Sequence, residues 1–403
     1  MAVSDLSVAD VTDTGRPLHV AMVAPPYFSV PPSGYGGIES VVAGLVDGLV
    51  ERGHRVTLLA AGRHGTRAQQ FLSTSDAHPA DRLGEALPEV VNAARVGGLI
   101  GTGSAFDLVH DHTLAGPLLA TGRSVPTVVT VHGPLSDLAD VYRPGRHAAG
   151  LVAISHDQRR AAPDLNWLAT VHNGIDVSTY PYSARKGDYC LFLGRFHPDK
   201  APHLAIDAAR AAGRRILLAG KCSETVEQRY YDAEVAPRLG PDAVNVGVAD
   251  HDTKRELLAG ARCLVFPSCW AEPFGMVLVE AMACGTPVVA LANGAVPEVV
   301  DHAMTGLVVR DPEGLADGIR GVSIIDPAEC RRQVASRFSI EAMAACYEQA
   351  YRRATRRVTT RPFSVSERTP ALADAAGQSL RDSIATTSAR SSASSSPAET
   401  STP

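Results

Sequence analysis

The segment Glu-Pro-Phe-Gly-Met-Val-Leu-Val-Glu, from Glu272 to Glu280, sets two carboxylates eight positions apart. It follows CLVFPS, an apolar run bounded by a turn, so Glu272 belongs at the exit of a buried strand, on the rim of a crevice. From Phe274 onward the pattern favours a helix whose first free amides, near Gly275, Met276 and Val277, can meet a phosphate. If the intervening chain is mostly helical, the glutamates stand about two turns apart. They can then address different parts of one extended ligand, Glu272 accepting from sugar hydroxyls and Glu280 taking a bidentate pair from ribose hydroxyls. The plainer alternative is a helix start favoured by Glu272, with Glu280 solvated. The paired carboxylates of a glycoside hydrolase fit less well, because a helical path separates them beyond their working distance.

Two cations can serve the same ligand. Gly194-Arg195 follows DYCLFL, and Lys200 precedes HLAIDAARAAG, so a loop at a strand exit directs both toward a crevice. Arg195 can clamp two phosphate oxygens and Lys200 can follow moving charge as a compact cation, unless both are ordinary solvated charges. Gly36-Gly37, between an apolar strand and a helix, lets backbone approach a ligand, although a tight turn would look the same and the GxGxxG fingerprint is absent. His132 ends TVVTVHG and can make a polar contact near neutral pH or simply satisfy a strand end. His110 and His112 occupy the neighbouring exit, LVHDH, where acceptor binding or local hydrogen bonding is favoured over metal ligation, since H-D-H defines no coordination set. Arg159, after AISHDQ, either faces an anionic acceptor or is solvated.

The elements that must position these residues alternate along the chain. Leu18–Val23 reads as a strand, IESVVAGLVDGLVERG as an amphipathic helix and HRVTLLAA as a second strand. Residues 62–104 are less periodic, although EALPEVVNAARVGGLI is helical in pattern. Apolar runs resume in DLVH, PTVVTVHG, GLVAIS and WLATVHNGID, the last closed by the turn pair Asn173-Gly174. A second series runs DYCLFLG, HLAIDAARAAG, RRILLAG, NVGVA, KRELLAGA, RCLVFPS, the helix near EPFG, and TPVVAL. DPEGLADGIRGV follows, with Asp311 as helix cap and Pro312 as first residue. SIEAMAACYEQAYRRATRR is the last long helix. Such alternation predicts open α/β domains with helices on both faces of parallel sheets. The expected division is a flexible N-terminus over 1–17, domains over 18–180 and 181–337, a terminal helix packing across the domains over 338–361, and a disordered tail over 362–403.

Composition agrees with this division. A chain of 403 residues, 45% hydrophobic and 20% charged, can fill the cores of two domains. A net charge of -5 offers no broad attraction to nucleic acid. Seven cysteines form no regular framework, the N-terminus lacks the basic and apolar regions of a signal peptide, and no apolar run approaches the ~18 residues of a membrane span. These features predict a cytoplasmic location. Arg352, Arg353, Arg356, Arg357 and Arg361 read as a solvated helix end in preference to a peripheral membrane contact.

Gly36-Gly37, GRFHPDK, and EPFGMVLVE followed by ACGTPVV together resemble the retaining glycosyltransferases of family 4. The resemblance implies the GT-B fold, two Rossmann-like open parallel-sheet domains facing across a cleft. It implies that Arg195 and Lys200 hold a donor diphosphate, Glu280 binds ribose and Glu272 the transferred sugar. Gly36, Gly37, Phe274, Gly275, Met276 and Val277 would lie around the phosphate and sugar, with His132 facing the reacting sugar. His110, His112 and Arg159 remain acceptor-side candidates, and Glu298 in GAVPEVV is given a structural role. Ala201 follows Lys200 where many members have Gly, a departure that bears on the local backbone path. The implied reaction moves a hexosyl group from a nucleotide-diphosphate sugar, UDP favoured over GDP, to a hydroxyl of a small-molecule acceptor, with no tightly bound cofactor and no metal. A membrane-lipid acceptor, a sugar phosphorylase or nucleotide-sugar epimerase, and a noncatalytic nucleotide-sugar-binding protein are the alternatives.

Overall fold

Parallel strands need a crossover between them, and the amphipathic segments between the apolar runs supply it. The computed structural model describes residues 15–359 apart from Tyr35. Its first series is β1 (His19–Val23), α1 (Gly37–Glu51), β2 (Arg55–Ala61), β3 (Gln70–Ser75), α2 (Ala86–Ile100), β4 (Leu108–Asp111), α3 (Gly116–Ala120), β5 (Thr127–Val131), α4 (Leu135–Tyr142), β6 (Ala149–Ala153), α5 (His156–Ala161) and β7 (Trp167–Thr170). The second is β8 (Tyr189–Leu193), α6 (Pro202–Ala211), β9 (Arg215–Ala219), α7 (Thr225–Tyr230), β10 (Ala243–Gly247), α8 (His251–Gly260), β11 (Cys263–Phe266), α9 (Met276–Ala283), β12 (Val288–Leu291), α10 (Val296–Val299) and β13 (Gly306–Val309), followed by α11 (Glu313–Gly321), α12 (Pro327–Arg337) and α13 (Ile340–Thr359).

Both sheets are parallel throughout, with strand orders β3-β2-β1-β4-β5-β6-β7 and β10-β9-β8-β11-β12-β13. Two Rossmann-like domains thus face each other across a cleft. In each order the direction of strand addition reverses once, between β1 and β4 and between β8 and β11. At such a switch point the loops leaving the strand ends diverge and open a crevice for a ligand. Both faces of the first sheet are buried. Along β1, Val20 and Met22 pack with α1 and α13, while Ala21 and Val23 pack on the other side with Val96 and Ile100 of α2. This accounts for the continuous apolar runs.

The chain ends by crossing back. α12 packs on α9 of the second domain, whereas α13 lies mainly against α1, β5 and β7 of the first. Tyr347 and Tyr351 of α13 are among the largest fully buried side chains. The cap position of α11 is Pro312 and not the predicted Asp311, because the regular helix starts one residue later than expected, although Gly314 N still donates to Asp311 Oδ1 at 2.9 Å. Arg352 is not the solvated charge predicted. It donates to Glu348 Oε1 at 2.6 Å and to Gly15 O at 3.0 Å. The expected tail over 362–403 and most of the expected flexible N-terminus lie outside the described residues. No described helix is long and apolar enough to cross a membrane.

Candidate active site

The exits of β8 and β11 flank the second domain's switch point, and they carry the cations and the first glutamate of the sequence motifs. Backbone bonding ties the two loops together, since Cys269 N donates to Asp199 O at 2.8 Å. Lys200 forms an ion pair with Glu272 and lies 4.7 Å from the centre of the Trp270 ring. Trp270 Nε1 donates to Glu272 Oε2 at 2.8 Å. Arg195 turns to another pair of acids, 3.2 Å from both Glu224 Oε1 and Glu227 Oε1. Glu227 is itself fixed, because its Oε2 accepts from the amides of Ser223 and Glu224 at 2.9 and 3.1 Å. Both cations therefore rest on carboxylates, and an arriving phosphate must compete for them.

The helix after Glu272 starts later than its apolar pattern predicts. Pro273 has no amide to donate, Gly275 adopts φ 83°, and regular helix begins only at Met276. A left-handed residue suits glycine and ends any helix that would include it. Leu278 N already donates to Gly275 O at 2.9 Å, which leaves the amides of Met276 and Val277 as first-turn donors for an anion. Met276 packs against the cores of both domains, placing this helix start at their junction. Phe274, predicted to line the donor, is 2% exposed and packs edge-on to Phe338, so its side chain belongs to the core.

The two glutamates are separated by a loop and about one helical turn rather than the predicted two turns. They face different neighbours. Glu272 is held through its backbone, its O accepting from Ala295 N at 2.9 Å. A Cβ on Gly294 would stand 2.3 Å from Glu272 N, so only glycine permits this approach. Glu280 accepts at a single oxygen, Oε1, from Lys254 Nζ at 2.7 Å and from Tyr180 OH at 3.1 Å. The predicted bidentate grip on ribose thus meets a carboxylate already engaged on one side. Trp270, Gly294, Lys254 and Tyr180 are not among the site residues expected from the sequence, although Lys254 opens KRELLAGA and Gly294 opens GAVPEVV. Only Trp270 had a local signal, as an aromatic residue two positions from Glu272.

Across the cleft, Gly36 caps α1 and Gly37 is its first residue, and a Cβ on Gly37 would meet nothing within 4 Å. His112 and His132 follow β4 and β5, with Nδ1 of the first and Nε2 of the second sharing a hydrogen bond at 2.9 Å. Burial lowers the His132 pKa to about 4 and holds His112 well below the usual imidazole range, so both rings are neutral near pH 7. His110 does not reach the acceptor side. Its Nδ1 bonds with Tyr351 OH at 2.7 Å and its Nε2 with Thr130 Oγ1 at 2.8 Å, inside the core. The same edge holds carboxyls that the sequence did not single out. Burial pushes Glu39 and Glu89 up to about 7, the charge of Asp111 adding to the effect at Glu89.

Arg159 sits on α5, a helix joined to the second domain. Glu298 accepts from the amides of His156 and Asp157 at 2.7 Å each, and lies 3.3 Å from His172 Nε2. Burial would raise its pKa, but His172 and these amides outweigh burial and hold the carboxyl below the usual range. Glu298 thus fastens the domains together, on the same short segment whose Gly294 and Ala295 hold Glu272. Among the described residues, His156, His172 and Glu298 are the one group of three ligand atoms within 4.8 Å that could hold a metal. Both oxygens of Glu298 are already committed to amides. A cavity of about 430 Å³ bordered by Arg16, Asp107, Pro126 and Arg352 lies at the opposite ends of β1, β4 and β5, away from this site.

Comparison with known proteins bears directly on this arrangement. Residues 187–323 match the family described as glycosyl transferases group 1, and residues 35–179 match glycosyltransferase family 4. The chain is 30% identical over 291 residues to glycogen synthase of Mycobacterium tuberculosis, covering 62% of this chain and 69% of that protein. It is 30% identical over 336 residues to phosphatidyl-myo-inositol mannosyltransferase of Mycolicibacterium smegmatis, covering 76% and 84% respectively. Its fold resembles the crystal structure of AviGT4, a glycosyltransferase involved in avilamycin A biosynthesis, with TM-score 0.67 and 27% identity over 86% of this chain and 99% of that one.

Proposed function

The chain belongs to glycosyltransferase family 4 and is a nucleotide-sugar-dependent glycosyltransferase of the GT-B type; on that premise we propose that it moves a hexosyl group from a UDP-sugar to a hydroxyl of a small molecule, in the cytoplasm, with retained anomeric configuration and no need for a metal. One observation carries the reading. Arg195, Lys200 and the first amides of α9 surround the second domain's switch point beside Glu272, so diphosphate charge and sugar hydroxyls find partners side by side.

In this reading Lys200 exchanges Glu272 for the donor phosphate, and Glu272 is freed to accept from the sugar. Arg195 and the amides of Met276 and Val277 take the remaining phosphate charge. As the bond from the anomeric carbon to phosphate oxygen breaks, the acceptor oxygen attacks from the same face, and its proton passes to the departing phosphate. His132, neutral near pH 7, contributes a hydrogen bond to the sugar and no positive charge. Its Nε2 is occupied by His112, so that contact falls to Nδ1. Fixed cations and amides meet the leaving-group charge that a metal would otherwise meet.

The relatives' names range from a glycogen synthase to a phosphatidyl-myo-inositol mannosyltransferase, and AviGT4 acts in a natural-product route. We favour the small molecule over the lipid, because Arg352 of the basic helix end is engaged with Glu348. The test is a panel of UDP- and GDP-sugars against pooled small-molecule and lipid acceptors, read by mass spectrometry and by NMR of the anomeric centre. An α-linked donor should give an α-glycoside and UDP in equal amounts, at a rate unchanged after exhaustive chelation. A β-glycoside would overturn retention, and rates restored only by Mg²⁺ would overturn metal independence. Phosphate exchange, epimerised donor, or binding without turnover would replace transfer by a phosphorylase, an epimerase or a binding protein.

A further inference from the structure

We infer that Lys254 is a positioning residue for the donor ribose, acting with Tyr180 through Glu280. The inference rests on the proposed reading of Glu280 as the ribose contact. Lys254 stands in the first turn of α8 and Tyr180 in the linker between β7 and β8, so they approach Glu280 from separate parts of the fold. Both meet the same oxygen, Oε1, at 2.7 and 3.1 Å. A carboxylate oxygen with two donors has its lone pairs filled, and Oε2 is then the atom turned to a ligand.

The surroundings hold this arrangement in place. Tyr180 is 8% exposed, its backbone O accepts from Arg331 Nη1 at 2.6 Å, and Arg255 lies 5.4 Å from its ring centre. Arg331 Nη1 also donates to Ala283 O at 2.6 Å, at the end of the helix that carries Glu280. The linker and α9 are thus locked to each other, and the Glu280 rotamer is set before a nucleotide arrives. Lys254 balances the charge of a carboxylate whose side chain is only 12% exposed, and its ammonium denies Oε1 to the ligand. The ribose is therefore gripped by one carboxylate oxygen, in an orientation set by two residues that need not touch it.

The test is calorimetry with UDP and with 2′,3′-dideoxyuridine diphosphate, which lacks both ribose hydroxyls. Wild type should bind UDP more tightly than the dideoxy compound. Lys254→Met keeps the aliphatic stem and removes the ammonium. It should weaken UDP roughly tenfold, the size of one lost charge-assisted contact, and leave the dideoxy compound unchanged. Tyr180→Phe should act in the same direction, more weakly, and melting curves will establish that both variants fold. With a working acceptor, Lys254→Met should raise KM and leave kcat within about twofold, because a ribose grip is the same in ground and transition states. Equal weakening of both ligands in Lys254→Met would overturn the positioning role. A wild type indifferent to the missing hydroxyls would remove the ribose reading and this inference with it, and no binding of UDP or GDP by wild type would overturn both this inference and the transfer reading.

Discussion

The two sides of the cleft handle charge in opposite ways. On the second domain's side the charges are complete and already paired, Lys200 with Glu272, Arg195 with Glu224 and Glu227, and Lys254 with Glu280. The cations and all the acids except the fully buried Glu227 are part-exposed, so a ligand can compete for each cation. On the first domain's side the polar groups are buried or half-buried, the histidines held below the imidazole range and neutral, and Glu39 and Glu89 raised to about 7, so that they are only partly ionised near pH 7. A diphosphate needs standing positive charge, and in the proposed reading Arg195 and Lys200 supply it. The other edge offers neutral imidazoles and carboxyls only partly ionised, groups that can hydrogen-bond the uncharged hydroxyl of the proposed acceptor. The difference teaches where substitutions should act on affinity and where they should act on folding.

The sharpest way to break this comparison uses one glycine from each side. Gly294 has φ 58°, and a methyl there would stand 2.3 Å from Glu272 N and 2.4 Å from Glu272 O. Gly294→Ala must displace the Glu272 loop, and a displacement near 1 Å in such a site costs on the order of 10²-fold in rate. Steady-state transfer rates should fall by about that factor, with UDP affinity much less affected. Gly37→Ala adds its methyl in open space and should leave the melting temperature unchanged. Comparable losses of stability in the two variants would refute the contrast between a pinned donor loop and an open one.

A smaller effect separates the sides by pH. The folded pKa of His132, about 4, lies below its ordinary 6.5. The unfolded chain then binds more protons in that window, and stability falls as pH drops from 6.5 toward 4. Glu89 is the reverse case, raised from 4.5 to about 7, so its contribution is complete below 4.5 and is lost as pH rises through 7. Relative to wild type, Glu89→Gln should gain on the order of 2 kcal/mol between the low and high ends of its window, after a discount for partial exposure. His132→Gln should gain a similar amount in the opposite direction. Denaturant midpoints across pH measure both, and proton NMR should find the His132 ring titrating near 4. Curves parallel to wild type would mean that this edge is solvated and charged.

Legibility in the sequence followed the same divide. Central strands such as β5 and β11 are buried from end to end and read as continuous apolar runs. β3, QFLSTS, is an edge strand with one buried residue, and its apolar signal is too weak to separate from a loop. Arg195, Lys200, Glu272 and Glu280 were open to proposal from the sequence because their motifs keep a local spacing along the chain. Lys254 and Tyr180 were not, because they meet Glu280 only after the chain has folded. Of the two roles the sequence leaves open for His110, acceptor contact and local hydrogen bonding, the structure shows the second, since a residue inside a strand with helices on both faces has a core on either side of it. Its hydrogen-bond partner Tyr351, and Tyr347 whose ring packs against it, lie more than 200 positions away, and no local pattern announces them.

The smallest expected effect concerns Ala201, where the sequence departs from the glycine common in similar enzymes. The structure explains the preference, since Ala201 adopts φ 45° and ψ 49°, in the left-handed region, as the chain passes from Lys200 into α6. An L-residue pays about 1–2 kcal/mol for that conformation. Against this, the Ala201 methyl is completely buried, and removing it forfeits about 0.8 kcal/mol of burial. A glycine also loses roughly 0.5–1 kcal/mol through the greater freedom of its unfolded chain. These contributions nearly cancel, so Ala201→Gly should change stability by no more than about 0.5 kcal/mol in either direction. UDP affinity should not change, because Lys200 stays tied to Trp270 and Glu272 and its loop to Cys269. Ala201→Val provides the contrasting arm, as a β-branched residue is poorly tolerated in this region, and it should cost more than about 2 kcal/mol. Urea midpoints for the three proteins would decide the matter: a large gain from glycine would mean that the loop carries more strain than its dihedral angles imply, and a harmless valine would mean that the backbone at Ala201 is not held in the left-handed region.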